Sequence, residues 1–229
     1  MEKKKIIVLT GAGISAESGI ATFRDAGGLW EGHDIKEVAS PEGWRQNKAL
    51  VLDFYNKRRA QLKDCVPNAA HIALVELEKM FDVHIITQNV DDLHERAGSK
   101  NVLHLHGELK KVRSTIDPNL IYDWDKDIKI GDVCEKGSQL RPHIVWFGED
   151  VPLIGKAAEL SSKADIYIII GTSLVVYPAA GLVNYAHDTV PKFVIDNNKP
   201  TLYDVRNVEF LIQPATVGVR TIVDRLLNA

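Results

Sequence analysis

Apolar residues in this chain gather into short continuous runs separated by longer amphipathic stretches. The runs are Lys5–Thr10, Val83–Thr87, Asn101–His104, His143–Trp146, Ile166–Ile170, Lys192–Ile195 and Val208–Ile212. Several are rich in Ile and Val, the pattern of strands covered on both faces. Helical periodicity lies between them. Asn68–Phe81 carries Ala69, Ile72, Ala73, Val75, Leu77 and Met80, with Pro67 ahead as a start signal. Lys48–Leu62, Ile154–Ser162, Pro178–His187 and Thr216–Leu227 also read as helices. Strands alternating with helices predict an α/β fold built on a parallel, doubly wound sheet.

Two regions break this rhythm. Phe23–Gln46 is rich in Gly, charge and Trp, and reads as a long loop over the first strand–helix turn. Lys110–Pro142 has several acids and few apolar anchors, and reads as a small excursion outside the main sheet. Lys48–Leu62 is placed with it in a second, smaller module.

Bulk properties narrow the function. The chain has 229 residues, enough for one sizeable domain with a smaller inserted module. With 28 Lys and Arg against 31 Asp and Glu, it has no basic excess, so neither nucleic acid nor a membrane surface is an expected partner. No apolar run approaches the ~20 residues of a membrane span. The apolar run behind Met1-Glu2-Lys3 is too short for a signal-peptide core. Two cysteines, Cys65 and Cys134, fit a reducing compartment, and the cytoplasm is the expected location.

The polar residues at strand ends carry the chemistry. Ile6–Leu9 breaks at Thr10 into Gly11-Ala12-Gly13 and a helix start that includes Ser15. Glycines let a backbone turn sharply and approach a ligand, and helix-start amides favour a phosphate. An ordinary tight turn fits the same residues, since Gly19 falls too late for the G-x-G-x-x-G fingerprint. Gln88, Asn89 and Asp91 follow the strand Val83–Thr87, where ligands of open α/β sheets bind. Amide side chains suit ribose hydroxyls and a carboxamide. Asp91 or Asp92 also suits a helix cap. His104 and His106 end the next strand. His104 reads as a structural imidazole, and His106, beside Gly107, as the better acid/base candidate. Gly171-Thr172-Ser173 follows Ile166–Ile170 and repeats the opening logic, and Asn197 lies beyond Lys192–Ile195.

Together these segments resemble the sirtuin family of NAD-dependent protein deacylases. The resemblance runs from Gly11-Ala12-Gly13-Ile14-Ser15, Ser18-Gly19-Ile20 and Phe23-Arg24 through TQNVDDLHERAG at 87–98 and HLHG at 104–107. It continues through RPHIVWFGE at 141–149 and GTSL at 171–174. It implies a single catalytic domain over 1–229. A Rossmann-like large part would span about 1–31, 65–106 and 143–229, and a small module about 32–64 and 107–142. By resemblance, Gly11, Ala12, Gly13, Ser15, Phe23 and Arg24 contact NAD, Gln88, Asn89 and Asp91 line the nicotinamide and ribose, and Gly171, Thr172, Ser173, Asn197 and Ala215 hold the adenosine half. His106, with Asn89, is catalytic, acting as general base on a ribose hydroxyl. Val145, Trp146, Phe147, Gly148 and Glu149 are implied to pair with the substrate peptide by strand addition. The implied products are free lysine, nicotinamide and O-acyl-ADP-ribose.

Ala39, Tyr55 and Arg58 match the pattern of sirtuins that remove acidic acyl groups such as succinyl. Tyr55 and Arg58, three residues apart in DFYNKRR, share a helix face, and a phenol beside a guanidinium can hold a carboxylate. A solvated basic helix face is the alternative, since Lys57 and Arg59 stand beside them. The family's zinc site of two cysteine pairs is not matched. Ser114 stands near the expected first pair, and only Cys134 near the second. The expectation is a module without metal, packed by Ile121, Trp124, Ile128, Ile130 and Leu140. Transfer of ADP-ribose to a protein, or a catalytically silent NAD-sensing module, are the competing functions.

Overall fold

The computed structural model describes residues 3–21, 29–30 and 32–228. The strands are β1 (Lys5–Thr10), β2 (Leu29–Trp30), β3 (His33–Asp34), β4 (Asp82–Thr87), β5 (Val102–His104), β6 (Gly107–Ser114), β7 (Ile121–Asp123), β8 (Leu140–Ile144), β9 (Ile166–Ile170), β10 (Lys192–Asp196) and β11 (Val208–Ile212). The helices are α1 (Gly13–Ala16), α2 (Ile35–Val38), α3 (Pro41–Gln46), α4 (Lys48–Asp64), α5 (Ala69–Leu77), α6 (Leu93–Ala97), α7 (Ile154–Ser162) and α8 (Ala215–Leu227), with a 3₁₀ stretch at Ala179–Tyr185.

Six strands form one sheet in the order β11-β10-β9-β1-β4-β5, every pair parallel. The chain builds outward from β1 on one side, then returns to add β9 on the other. That reversal makes β1/β9 the switch point of the sheet, where a crevice opens beyond the strand ends. The predicted α/β architecture is therefore observed.

Alternation along β1 explains how the sheet is covered. Ile6 and Val8 point to one face, where Leu74 and Leu77 of α5 and Val219, Ile222 and Val223 of α8 pack. Ile7 and Leu9 point to the other, against Ala157 of α7 and Leu182 and Val183 of the 3₁₀ stretch. All four are fully buried. Each contributes roughly 1.5–3 kcal/mol relative to exposure.

A third core lies outside the sheet. β6 pairs antiparallel with β7 and β8, and this small sheet packs with α2, α3 and α4 around Val38, Trp44, Val51, Tyr55, Val112, Ile128, Leu140 and Trp146. Several expectations change here. The run His143–Trp146 is not a strand of the parallel sheet. The strand is Leu140–Ile144, and it belongs to the small antiparallel sheet. Lys110–Pro142 holds β6, β7 and the start of β8, because anchors such as Val112, Ile128 and Leu140 are few but fully used. Ile128 and Leu140 are buried, whereas Ile121 (41 % exposed) and Ile130 (61 %) face outward and do not pack the core. Cys134 Sγ donates to Ser114 Oγ at 3.4 Å inside this module.

The described part of Phe23–Gln46 is also more regular than a loop. Ser40 accepts from the Gly43 N–H and Pro41 opens α3, two strong start signals. α5 ends at Leu77 rather than Phe81, since the chain must turn to enter β4 at Asp82, whose N–H donates to the Lys4 carbonyl. Pro178–His187 is a 3₁₀ segment, with Gly181, a poor helix former, in its middle. No helix among the described residues is long and apolar enough to cross a membrane.

Candidate functional site

The site begins with three glycines at the switch point. The Gly11 N–H donates to the Ile170 carbonyl at 3.0 Å and the Gly13 N–H to the Gly171 carbonyl at 2.9 Å. A Cβ on Gly13 would stand 2.6 Å from the Gly171 Cα, and one on Gly171, whose φ is +60°, would stand 2.4 Å from the Ile14 nitrogen. The two turns interlock only because neither carries a side chain. Thr172 and Ser173 follow directly, with Thr172 buried. Asn197 is exposed just past β10, and Ala215 is the buried first residue of α8.

The end of β4 fastens to the same place. The Gln88 backbone N–H donates to the Thr10 carbonyl at 2.9 Å, and its side-chain Nε2 to Thr172 Oγ1 at 3.1 Å. Ser15 Oγ accepts from Asn89 Nδ2 at 3.1 Å and donates to Asp91 Oδ2 at 3.0 Å. Asp91 Oδ1 accepts the first N–H of α6, from Leu93, at 3.1 Å. Burial pushes the Asp91 carboxyl up, and the hydrogen bonds from Leu93 and Ser15 oppose that shift. Asn89, Asp91 and Ser15 are thus one buried polar cluster. The acid that caps α6 is Asp91, not Asp92, which makes no side-chain cap bond.

The two histidines of 104–107 differ in their surroundings. His104 Nδ1 lies 3.1 Å from the Asn89 carbonyl and Nε2 lies 2.7 Å from Glu95 Oε1. Burial disfavours its charge, but Glu95 outweighs burial and raises its proton affinity. With both nitrogens engaged, His104 is structural. His106 Nδ1 lies 3.1 Å from the Gln88 carbonyl, which fixes the proton on Nδ1 and leaves Nε2 as an acceptor. Burial lowers its proton affinity, so the basic form prevails at neutral pH. Its backbone is set by Gly107, with φ +84°, and by the Val145 N–H donating to the His106 carbonyl at 2.9 Å.

Ala39, Tyr55 and Trp146 meet in the third core, and the Phe147 backbone fastens to its edge. The Phe147 N–H donates to the Ala39 carbonyl at 3.0 Å, and Trp146 Nε1 donates to the Tyr55 hydroxyl at 3.1 Å. Tyr55 is fully buried. Burial raises its proton affinity and the nearby Arg58 charge opposes this. Arg58 is buried too, 5.8 Å over the Phe54 ring, so it is not part of a solvated basic face.

The strip 145–149 is anchored to the protein at its start and exposed at its end. The amides of Val145, Trp146 and Phe147 are committed within the protein, to the His106 carbonyl, Glu149 Oε2 and the Ala39 carbonyl. The Trp146 ring is buried between Trp44 and Arg141, whose guanidinium lies 3.2 Å from its centre. Phe147 and Gly148 are the exposed part. Sequence reasoning missed what holds this strip. Glu149 pairs with Arg141 at 2.6 Å and Arg113 at 3.0 Å. Burial alone would raise the Glu149 carboxyl, and Arg141 instead holds it low. The only signal was the charge pattern of RPHIVWFGE. Phe23 and Arg24 lie outside the described residues.

The parallel sheet, the glycine interlock at its switch point and the polar strand ends gathered there define a doubly wound α/β domain. The Sir2 family profile matches residues 11–178, and the chain belongs to that family. An NAD-dependent protein deacylase of Helicobacter pylori (strain ATCC 700392 / 26695) is 57 % identical over 225 residues, covering 98 % of each chain. Another of the same name, from Bacteroides thetaiotaomicron, is 50 % identical over 99 % of each. Among solved structures, a Sir2 homologue–NAD complex aligns with TM-score 0.87 at 38 % identity, covering 99 % of this chain and 91 % of that one. Sir2Tm bound to a propionylated peptide aligns with TM-score 0.81 at 28 % identity, covering 100 % and 95 %.

Gly107 joins the base to the module. A Cβ there would stand 2.0 Å from the His143 carbonyl oxygen, at a φ that L-residues avoid. Gly107→Ala is expected to cost roughly 3 kcal/mol or more through backbone displacement. Chemical denaturation compared with wild type measures this, and an unchanged midpoint would contradict the close contact.

Proposed function

We propose that this Sir2-family, NAD-dependent protein deacylase removes acidic acyl groups, succinyl and malonyl, as well as acetyl, from lysine side chains. The observation that carries the catalytic assignment is the His106 geometry. Its Nδ1 is held by the Gln88 carbonyl, so Nε2 is presented as an acceptor beside the Asn89–Ser15–Asp91 cluster. NAD, as co-substrate, supplies the ribose that receives the acyl group, with release of nicotinamide. The residues at the ends of β1, β4 and β9 suit it. The interlocked glycines hold the ends of β1 and β9 together at the switch point, where ligands of open α/β sheets bind. Gln88, Asn89 and Asp91 offer donors and acceptors for a carboxamide and ribose. His106 takes a ribose hydroxyl proton. Such a base contributes typically ~10²–10⁴-fold.

The acyl preference rests on Ala39, Tyr55 and Arg58. A small residue, a phenol and a buried guanidinium share one core, and a desolvated guanidinium favours a carboxylate partner. The acylated peptide is read as lying against the exposed Phe147–Gly148 segment. Its partner groups would be main-chain carbonyls and Gly148, given that the preceding amides are already engaged.

The small module is read as holding no zinc. The residues nearest the expected site, Ser114 and Cys134, bond each other. Among the described residues there is no group of three or more His, Cys, Asp or Glu that could hold a metal. A structural zinc needs four good ligands.

His106→Ala and His106→Tyr are expected to abolish turnover, read as formation of free lysine and O-acyl-ADP-ribose from NAD and acyl-peptide, with the fold intact by circular dichroism. Turnover at the wild-type rate in either variant would sink the base assignment. Arg58→Met should depress kcat/KM for succinyl-lysine peptide far more than for acetyl-lysine peptide, and equal losses on both would refute the acidic-acyl reading. Elemental analysis of protein purified without metal-affinity resin should find no stoichiometric zinc, against which one zinc per chain would count decisively.

A further inference from the structure

Behind the site, away from any ligand, two more histidines are buried in ring contact. His71 lies in the first turn of α5 and His94 in α6, with ring centroids 4.9 Å apart at 64°. Neither is exposed beyond 1 %.

The partners fix the protons. His71 Nδ1 accepts from the Asn68 backbone N–H at 3.3 Å, so a neutral His71 carries its proton on Nε2. His94 Nε2 lies 3.1 Å from Thr10 Oγ1. Thr10 Oγ1 donates to Thr87 Oγ1 at 2.8 Å, so it accepts from His94, which therefore carries its proton on Nε2. The two nitrogens left over are His71 Nε2, a donor, and His94 Nδ1, an acceptor. Neither of these nitrogens has a hydrogen-bond partner among the described residues, so the two rings meet by packing, edge against face. Thr87 Oγ1 also accepts the Asn89 backbone N–H at 3.0 Å.

We infer that His94 is a positioning residue for the reaction, heading a one-directional relay from His94 Nε2–H to Thr10 and from Thr10 O–H to Thr87, whose oxygen fixes the Asn89 amide, with the His71 ring packed against it. Every donor in the chain points toward Thr87, so the hydroxyl oxygen that seats Asn89 has one allowed orientation. The relay requires a neutral His94 with its proton on Nε2, and the packed His71 ring adds no charge when it too is neutral. Burial brings His71 down to about 4, and burial together with the neighbouring His71 and His104 brings His94 well below its usual value. Asn89 in turn sets Ser15 and Asp91, and its carbonyl faces His104. A shift of Asn89 would therefore move the whole cluster. The inference rests on the deacylase reading for its kinetic consequence alone.

The test combines rescue kinetics with a spectroscopic readout. His94→Phe keeps a ring and removes the donor, whereas His94→Gln can return an N–H near the Nε2 position. kcat for NAD-dependent deacylation should fall about 10- to 100-fold in His94→Phe with KM for NAD little changed, and recover largely in His94→Gln. Thr10→Val and Thr10→Ser give the same loss and rescue without touching the histidines, should His94→Phe fail to fold. ¹⁵N chemical shifts of the wild-type imidazoles at pH 7 should report both histidines neutral with the proton on Nε2. The Asn89 amide resonance should move in Thr10→Val and return in Thr10→Ser. A proton on His94 Nδ1, a charged ring, or a folded Thr10→Val variant with wild-type kcat and an unmoved Asn89 amide overturns the relay. Absence of turnover in the wild-type chain overturns the deacylase reading instead, and the resonances then decide the relay by themselves.

Discussion

Two backbone turns from opposite halves of the sheet touch where side chains would forbid it. Gly13 and Gly171 approach to a separation that a single Cβ would fill, and Gly11 stands against Thr172 in the same way. That contact places the end of β1 beside the end of β9 at the point where strand order reverses. The remaining site residues are referenced to it. Gln88 bonds the Thr10 carbonyl and Thr172, Asn89 and Asp91 bond Ser15 of the helix that follows Gly13, and His106 bonds Gln88. A displacement at the glycines would pass through each of these bonds to His106. The arrangement is an instance of a general economy in α/β domains, where the sheet supplies rigidity and the strand ends supply chemistry.

What the sequence disclosed follows from how local each signal was. The central strands β1 and β9 were legible because a strand buried on both faces must be apolar nearly throughout, and β4, β10 and β11 because each keeps a shorter apolar run. The polar strand ends were legible for the converse reason, since Gln88-Asn89 directly after such a run has few structural uses. The antiparallel sheet was not legible. Gly107–Ser114 reads GELKKVRS, half polar, because only one face of β6 is covered, and its partner β8 lies a long loop away. Its identity as a strand is decided by pairing, which single-sequence periodicity does not contain.

Trp146 shows a different limit. Its place in a peptide-binding strip was inferred from a motif, and its neighbour Phe147 is indeed exposed. The turn that follows β8, however, sends Trp146 inward to Tyr55, Trp44 and Arg141. A residue in a binding motif can thus act by shaping the wall behind the ligand. The Arg113–Glu149–Arg141 network has the same character. Two guanidiniums on one carboxylate leave that carboxylate ionised in spite of burial. Removing one partner from such a network strands a buried charge, which costs far more than the pair contributes over an apolar substitute.

The histidines make the division of labour concrete. His71, His94, His104 and His106 all lie close to one polar cluster, and composition alone gives no means of ranking them. Their hydrogen bonds do. His104 has a carbonyl on one nitrogen and a carboxylate on the other, so it has no lone pair to offer and gains proton affinity. His71 and His94 are sealed against each other. His106 alone pairs one nitrogen with a main-chain carbonyl and keeps a basic nitrogen with no protein partner among the described residues, on a side chain that is not fully buried. A general base must have both an accessible lone pair and a lowered proton affinity, and only one of the four imidazoles meets both conditions. His71, His94 and His104 are instead held by fixed partners, Asn68, Thr10 and Glu95, and so serve to position their neighbours.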